Sequence, residues 1–223
     1  LHKAIRRQRQ MCIRDRFFVN DKFEKILVLC PEQWISHTKN LIKKYLGETD
    51  RIAVMAGGTT RNETIMNSIA YIEKEGNLNE DTIIVTHDSV RPFVTQRILE
   101  ENIRYAKEYG ACDTAVAATD TIVCSEDNVV ISDIPERRKM YQGQTPQTFK
   151  HDIICAAYDH LNHIIETKGI KAAGSITDDA MVVETFTNQK VYLSEGSYEN
   201  IKLTTPEDMT AAHGILSART HEL

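Results

Sequence analysis

Charged and hydroxyl side chains cluster in a short segment that follows the apolar run Thr82–Thr86. The segment reads His87-Asp88-Ser89-Val90-Arg91. An aspartate at the end of a buried strand can hold Mg²⁺, and an arginine three residues later can bind a triphosphate. The alternative is an Asp88–Arg91 ion pair that only fixes the loop. The residue types alone leave both interpretations open.

A second segment, Gly57–Thr64, begins with two glycines and contains three threonines and an arginine. Glycines let a backbone approach a flat ring or a phosphate closely, and threonine hydroxyls can hydrogen-bond to either. The alternative is a glycine turn followed by a helix N-cap, which composition alone favours.

A third segment, Asp133–Gln147, places three cations beside amides and hydroxyls. The cations are Arg137–Lys139, and the polar groups include Gln142, Gln144 and Thr145. Such a mixture suits a phosphate attached to a polyol, because guanidinium groups bind phosphate oxygens bidentately. A solvated basic turn beside an edge strand is the alternative.

Histidines are the remaining candidates for chemistry. His151, His160 and His163 lie on or near one predicted helix. We see no carboxylate or cysteine in the pattern that completes a ligand set, so we interpret them as surface histidines. The sequence contains neither a Gly-x-Ser-x-Gly segment nor a P-loop.

Short apolar runs alternate with helical patterns through the first half of the chain. This β-α-β-α-β-α-β order predicts an α/β fold with a Rossmann-like, mostly parallel sheet and helices on both faces. Ligands bind such sheets at the carboxyl ends of the strands, where the first two segments lie. The predicted strands are Lys25–Cys30, Ile52–Ala56, Thr82–Thr86 and Thr114–Ala118, and the predicted helices follow Pro31 and span Asn62–Tyr71 and Thr95–Tyr109.

The alternation stops after the fourth strand. Thr121–Cys124 and Val129–Ser132 flank four polar residues, which predicts a protruding hairpin arm over about 121–140 that pairs with a second subunit. We predict that the chain then forms a helix over His151–Glu166, a helix from Thr177-Asp178, a strand near Val191–Leu193 and a last helix from Thr205-Pro206.

Composition bounds the class of protein. The 223 residues suffice for one domain, which we place at 17–223. The chain begins with Leu1, and Leu1–Arg16 holds six basic residues against one acid, while the whole chain has a net charge of −5. We interpret this segment as non-native, expect it not to pack, and expect the chain to be a fragment of its reading frame. A basic arm or targeting peptide is the alternative, but no apolar region follows.

The acidic remainder argues against nucleic-acid binding, and no apolar run approaches the roughly 20 residues of a membrane span. Five scattered cysteines without a Cys-x-x-Cys pair favour a reduced, cytoplasmic protein.

Five strings in order closely resemble the family of ribitol-5-phosphate and 2-C-methyl-D-erythritol 4-phosphate cytidylyltransferases. Each string is modest evidence, but together they cover about Phe17 to the end. They are Gly57-Gly58-x-x-Arg61-x-x-Thr64, Thr86-His87-Asp88-Ser89-Val90-Arg91-Pro92, Gln144-Thr145-Pro146-Gln147, Thr177-Asp178-Asp179-Ala180 and Asn200-Ile201-Lys202-Leu203-Thr204-Thr205-Pro206-Glu207-Asp208.

The resemblance implies a CTP site formed by the first two segments. Gly58, Thr59 and Thr64 are expected at the cytosine, although the erythritol-type enzymes often have Asp in place of Thr59. Asp88, with Ser89, is expected at the ribose and at the phosphates bound to Mg²⁺ or another divalent cation. The full nucleotide set is Gly57, Gly58, Thr59, Arg61, Thr64, Asp88, Ser89 and Arg91.

The resemblance also implies a polyol-phosphate site. Arg137 is expected to hold the substrate phosphate, across a homodimer from the arm. Thr145 and Thr177 are expected to line the polyol pocket. Lys202 is expected to bind phosphate near the reacting centre, so Arg137 and Lys202 are the catalytic candidates.

The front of the chain departs from the family pattern. The family's first strand leads into a glycine-rich loop with an arginine and a lysine, and nothing in Leu1–Lys25 resembles it. Such cations stabilise charge on the α-phosphate, so this chain is expected to be impaired. A non-catalytic CTP-binding or dimerisation fragment is the alternative of another class.

Two details of the family pattern bear on the substrate. Met140–Gln144 and Val90–Phe93 favour ribitol 5-phosphate, a precursor of wall teichoic acid, over methylerythritol phosphate, a precursor of isoprenoids. The expected reaction is transfer of CMP from CTP with release of pyrophosphate.

Overall fold

The computed structural model describes residues 13–76, 78–174 and 176–221. The strands are β1 (Ile26–Cys30), β2 (Ile52–Ala56), β3 (Ile83–Thr86), β4 (Ala111–Ala117), β5 (Tyr141–Lys150) and β6 (Tyr192–Glu195). The α-helices are α1 (Ile35–Leu46), α2 (Arg61–Glu75), α3 (Gln96–Tyr109), α4 (His151–Lys168), α5 (Asp179–Phe186) and α6 (Pro206–His221). One-turn helices cover Ile13–Phe18, Glu32–Trp34, Arg137–Lys139 and Ile170–Ala173.

The strands form two sheets. β1 and β2 make a two-stranded parallel sheet, and the other four are ordered β3-β5-β4-β6. β3 and β4 are both antiparallel to β5, and β6 is parallel to β4, so only β5 runs against its neighbours. The predicted α/β fold with a mostly parallel sheet is confirmed.

β5 is the strand that the sequence did not predict. Its residues include Gly143 and Pro146, which are weak strand formers. It forms because it fills the space between β3 and β4, with Thr86 opposite Gln147 and Cys112 opposite Thr148. Six consecutive residues of β5 are buried, which shows that tertiary packing overrides propensity here.

Side-chain caps set the ends of the site-bearing helices. The Thr60 hydroxyl accepts a hydrogen bond from the backbone of Glu63 at the start of α2, and Thr95 does the same for α3. α2 ends at Gly76, whose φ of 75° is in the left-handed region that favours glycine. The predicted helix over Asn62–Tyr71 is therefore longer by about one turn.

The largest core lies under the four-stranded sheet. Its fully buried members include Phe149 of β5, Ile154 and Leu161 of α4, and Val182 and Val183 of α5. Each such side chain contributes roughly 1.5–3 kcal/mol by leaving water.

The small sheet is packed less completely. β1 and β2 form from apolar runs, yet each of their residues is only partly buried. A cleft of about 2300 Å³ separates β1 from β3, and side chains from both strands line it.

The arm is less regular than predicted. Cys124 and Asp133 form a single antiparallel bridge, so the chain turns back on itself as expected. The predicted strands Thr121–Cys124 and Val129–Ser132 are not formed in the described chain. The Asp127 carboxylate instead accepts hydrogen bonds from the backbone of Val129 and Val130, at 2.9 Å each, and this local turn replaces ladder pairing.

The front segment contacts the domain at its end. Arg16 donates a hydrogen bond to the Val94 carbonyl oxygen at 2.8 Å, and its own carbonyl accepts one from Gln96 at 2.6 Å. Phe17 is buried against α3. The packed region therefore begins at Arg16 or earlier, although Leu1–Arg16 was expected not to pack. Leu1–Cys12 lies outside the described residues. Among the described helices, none is long and apolar enough to cross a membrane.

Candidate active site

A hydrogen-bonded loop follows β3, and Thr145 of β5 organises it. The Thr145 hydroxyl accepts the backbone N–H of Asp88 at 3.0 Å and lies 3.0 Å from Nδ1 of His87. Nε2 of His87 lies 3.0 Å from the Arg91 carbonyl, which can only accept, so Nε2 carries the proton. Nδ1 therefore accepts from the Thr145 hydroxyl.

The imidazole in this loop is neutral. Burial lowers the pKa of His87 to about 4, which outweighs the attraction of the Asp88 carboxylate. The Thr145 hydroxyl was predicted to line a polyol pocket. It accepts one hydrogen bond and donates another, and both hold the Asp88 loop in place. Sequence reasoning assigned no role to His87.

Two cations converge on Asp88. Nζ of Lys202 lies 3.1 Å from Oδ2 of Asp88, and Nε of Arg91 lies 3.5 Å from the same oxygen. The Lys202 side chain is 48% exposed and can reach a ligand, whereas that of Arg91 is only 12% exposed. Arg91 donates to the Asn200 carbonyl at 2.7 Å, so it supports the loop.

The segment carrying Lys202 is held from both sides. The backbone of Leu203 donates to the Val90 carbonyl at 2.8 Å. The buried amide of Asn200 donates to the Thr145 carbonyl at 2.9 Å and to the Gln144 side-chain oxygen at 3.2 Å. Gln144 in turn donates to the Ser197 carbonyl at 2.9 Å. The structure thereby joins three strings that are far apart in sequence.

The loop after β2 forms a glycine turn and the N-cap of α2, and the Glu63 side chain folds back to contact it. The Gly58 N–H donates to the Thr64 hydroxyl at 2.9 Å, and the Glu63 carboxylate accepts from Thr59 through both its N–H and its hydroxyl. A Cβ on Gly58 would collide with the Glu63 side chain, so glycine is needed there. Glu63 was missed, although Thr60-x-x-Glu63 has the spacing of a capping box.

Arg61 ties two helices together. Its guanidinium makes a bidentate ion pair with Asp179 of α5, at 2.5 and 2.7 Å, and the Tyr158 hydroxyl donates to the same carboxylate at 2.5 Å. Asp179 is fully buried, so it requires such partners. Arg61 was predicted at the nucleotide; it lines the large cleft and also links α2 to α5. Asp179, the partner of Arg61, belongs to the Thr177-Asp178-Asp179 string that the sequence analysis identified.

A partly buried carboxyl group, that of Asp113, lies behind these residues. Gln147 donates to Oδ1 of Asp113 at 3.0 Å, while its side-chain oxygen accepts from the backbone of Asp179. Burial raises the pKa of Asp113 to about 7, and the hydrogen bond from Gln147 opposes this only partly. The charge of Asp113 therefore changes near neutral pH.

The other predicted polyol residues lie on exposed segments. Arg137 is exposed in the arm and donates to the Thr119 carbonyl at 3.2 Å. Thr177 is exposed beside the N-cap of α5, and its hydroxyl contacts Sδ of Met181 at 3.8 Å. In the part of the chain that the structure describes, no hydrogen bond or ion pair joins either residue to Lys202.

Two clefts meet at the Asp88 loop. The residues that line the large cleft include Arg61, Thr64, Asp88 and Ser89. A small cleft of about 230 Å³ is lined by Arg91, Gln142, Gly143, Gln144, Tyr198 and Lys202, among others. The Asp88–Lys202 pair lies between them, so a cation and a carboxylate face the junction of two binding spaces.

The family model for 2-C-methyl-D-erythritol 4-phosphate cytidylyltransferase, IspD, matches residues 14–218. The chain belongs to this family. Its members are nucleotidyltransferases of the cytidylyltransferase type, which confirms the resemblance seen in the five strings.

Solved structures agree with this assignment. The chain is 26% identical to 4-diphosphocytidyl-2C-methyl-D-erythritol synthase from Anaerococcus prevotii, with a TM-score of 0.78, covering 94% of this chain and 86% of that one. It is 24% identical to the 2-C-methyl-D-erythritol 4-phosphate cytidylyltransferase of Francisella tularensis, with a TM-score of 0.71 and coverages of 92% and 91%. The second likeness supports the fold alone.

Proposed function

We propose that the site transfers CMP from CTP to 2-C-methyl-D-erythritol 4-phosphate and releases pyrophosphate. The Asp88–Lys202 pair at the junction of two clefts, in a chain of this family, carries the proposal. The large cleft would take the nucleotide and the small one the polyol phosphate.

Ribitol 5-phosphate, which the sequence favoured, has weaker support. The matching family model and the solved relatives are named for the methylerythritol substrate. Gln144 belongs to the segment Met140–Gln144 that favoured ribitol, and its side-chain amide is not free for substrate hydroxyls. The Gln144 side chain donates to the Ser197 carbonyl and accepts from Asn200. Of the two glutamines that line the small cleft, only Gln142 is exposed.

For this reaction the protein mainly has to position the two substrates and to stabilise negative charge on the phosphates. A phosphate oxygen of the substrate attacks the α-phosphorus of CTP in line, the new P–O bond forms, and the bond to pyrophosphate breaks. In this proposal Lys202 binds phosphate at the junction, because its ammonium group is half-exposed beside Asp88. Arg91 and Thr145 fix the loop, and Arg137 and Thr177 come to the polyol phosphate from the arm and from the start of α5.

The Asp88 carboxylate fits a role in holding Mg²⁺. Mg²⁺ usually binds through one or two carboxylates together with substrate phosphates, and Asp88 is a partly exposed carboxylate that lines the proposed nucleotide cleft. The ion would neutralise charge on the triphosphate.

We also propose that the arm forms a homodimer contact. Its apolar side chains are exposed, Val129 by 84%, and the others are Val123, Val130, Ile131 and Ile134. Clustered apolar groups on one protrusion are typical of an interaction surface.

Full activity, we propose, requires one more strand in the large cleft. Ligand sites usually measure roughly 300–1,000 Å³, so a cleft of about 2300 Å³ is larger than a nucleotide needs. Among the described strands, β1 pairs only with β2 and β3 only with β5, so each has an edge facing the cleft. A strand between them would satisfy both edges and carry the glycine-rich loop that the family resemblance leads us to expect.

Product analysis tests this proposal. CTP and methylerythritol phosphate are incubated with the chain alone and with a chain that has a family strand and glycine-rich loop fused before Phe17. We expect the fused chain to form the CDP-polyol and pyrophosphate in equal amounts, and the chain alone to be at least about 100-fold slower, since losing preorganised cations costs several kcal/mol of barrier. Equal rates would contradict the need for the strand, and no product from a folded fused chain would contradict the assigned reaction.

A further inference from the structure

Three potential metal ligands meet away from the candidate active site. Glu73 lies in the last turn of α2, and His151 and Cys155 lie one turn apart at the start of α4. One ligand atom from each is within 4.8 Å of the other two. The sequence suggested that no carboxylate or cysteine accompanies His151, but the fold supplies both.

We propose that Glu73, His151 and Cys155 form a zinc site that links α2 to α4. A thiolate, an imidazole nitrogen and a carboxylate oxygen are the three donor types that Zn²⁺ binds in proteins. The mixture of sulfur and nitrogen donors disfavours Mg²⁺ and Ca²⁺, which require oxygen ligands.

The geometry needs only a small adjustment. Zinc–ligand bonds of about 2.0–2.3 Å place tetrahedral ligand atoms roughly 3.4–3.6 Å apart. The observed upper limit of 4.8 Å must therefore contract by about 1 Å. Glu73 can provide this by rotation, because its side chain is 51% exposed, and its open side leaves room for water as the fourth ligand.

The histidine nitrogen lacks another function. Nε2 of His151 is buried and has no hydrogen-bond partner among the described residues. It lies 3.9 Å from the Glu73 carboxylate, too far for a hydrogen bond. A buried unsatisfied nitrogen is costly, and a metal bound there would remove that cost.

The local charge favours a cation. Glu73, Asp152 and Asp159 all contribute negative potential at Cys155. The N-terminus of α4 opposes them with about half a positive charge. The three carboxylates favour a cation beside Cys155. The thiol proton leaves to solvent when the metal binds.

The position of the cluster indicates a structural role. Ile83 pairs with Lys150 at one end of β3, next to His151, whereas Asp88 and Thr145 lie beyond the other end. α2 follows β2 of the two-stranded sheet, and α4 follows β5 of the four-stranded sheet. A metal here would tie the two parts of the domain together without touching the candidate active site.

Cobalt titration of the full chain, stripped of metal with a chelator, tests the proposal. We expect saturable binding of one Co²⁺ with a thiolate-to-cobalt charge-transfer band that Zn²⁺ displaces. Cys155→Ser should abolish the band, and Glu73→Gln, a surface change that leaves the core intact, should weaken binding at least about 10-fold. Cys124→Ser, which removes an exposed thiol in the arm, is the matched control and should change nothing.

Thermal unfolding gives an independent readout. Zn²⁺ at about 100 times its Kd should raise the Tm of the parent and of Cys124→Ser by roughly 5–10 °C. The rise should be under about 1 °C in Cys155→Ser. A band that survives in Cys155→Ser or is lost in Cys124→Ser, unsaturable binding, or equal Tm shifts in all variants would overturn the proposal.

Discussion

Replacing Thr145 by Val separates a positioning role from a substrate-contact role. Valine keeps the shape of threonine but removes the hydroxyl that joins His87 to the Asp88 backbone. Each polar group left unsatisfied costs about 1–3 kcal/mol, and the loop is partly exposed, so we expect a loss of about 2–4 kcal/mol. For a domain of this size that is a fall in Tm of roughly 5–15 °C.

The assay combines thermal unfolding with hydrogen exchange of the Asp88 amide, which should exchange faster in Thr145→Val. Thr145→Ser restores the hydroxyl and should lose only about 1 kcal/mol, from one buried methyl group. Thr177→Val is the matched control, because its hydroxyl is exposed, and it should change stability by less than about 0.5 kcal/mol. If Thr145→Val is as stable as Thr177→Val, the positioning argument is refuted.

Three further changes test other parts of the structure. Lys202→Ala in the fused chain should lower kcat/KM about 10- to 150-fold, whereas Lys139→Ala, which removes an arm lysine paired with a carboxylate, should leave it within twofold. The pKa of Asp113 is raised from 3.8 to about 7 in the folded protein. Asp113 therefore lowers the free energy of unfolding progressively as pH rises from 4 to 7, and the loss is complete above pH 7. Asp113→Asn should therefore be more stable than the parent by about 2–4 kcal/mol at pH 8 in urea unfolding, with the difference shrinking towards pH 4. Val130→Asp should yield monomers by light scattering if the arm is the dimer contact, and an unchanged mass would contradict that contact.

Features carried by local pattern could be predicted from sequence. The alternation of apolar runs and helical periods places Asp88 just after a strand, and the fold has β3 end at Thr86, although the strand is only partly buried. Gly57–Thr64 forms the turn and helix cap that its composition favours. These features depend on neighbours within a few residues, which a single sequence displays.

Features carried by long-range pairing could not be predicted. The Arg61–Asp179 ion pair joins residues 118 positions apart, and β5 forms only because β3 and β4 flank it. The Thr145 hydroxyl resembles a substrate contact in sequence, but its partners arrive from another loop. His151 and Cys155 had helical spacing, yet Glu73 joins them only through packing of α2 on α4. In each case the sequence shows the side chain but not the partner that the fold places next to it.

The most direct test of the central claim is the ratio of kcat/KM values for 2-C-methyl-D-erythritol 4-phosphate and ribitol 5-phosphate, measured as pyrophosphate release from CTP by the fused chain. We expect at least about a 10-fold preference for methylerythritol phosphate, since one misplaced hydroxyl or methyl group in a fitted pocket is worth about 1–3 kcal/mol. A ratio near one, or a preference for ribitol 5-phosphate, would contradict the proposed substrate.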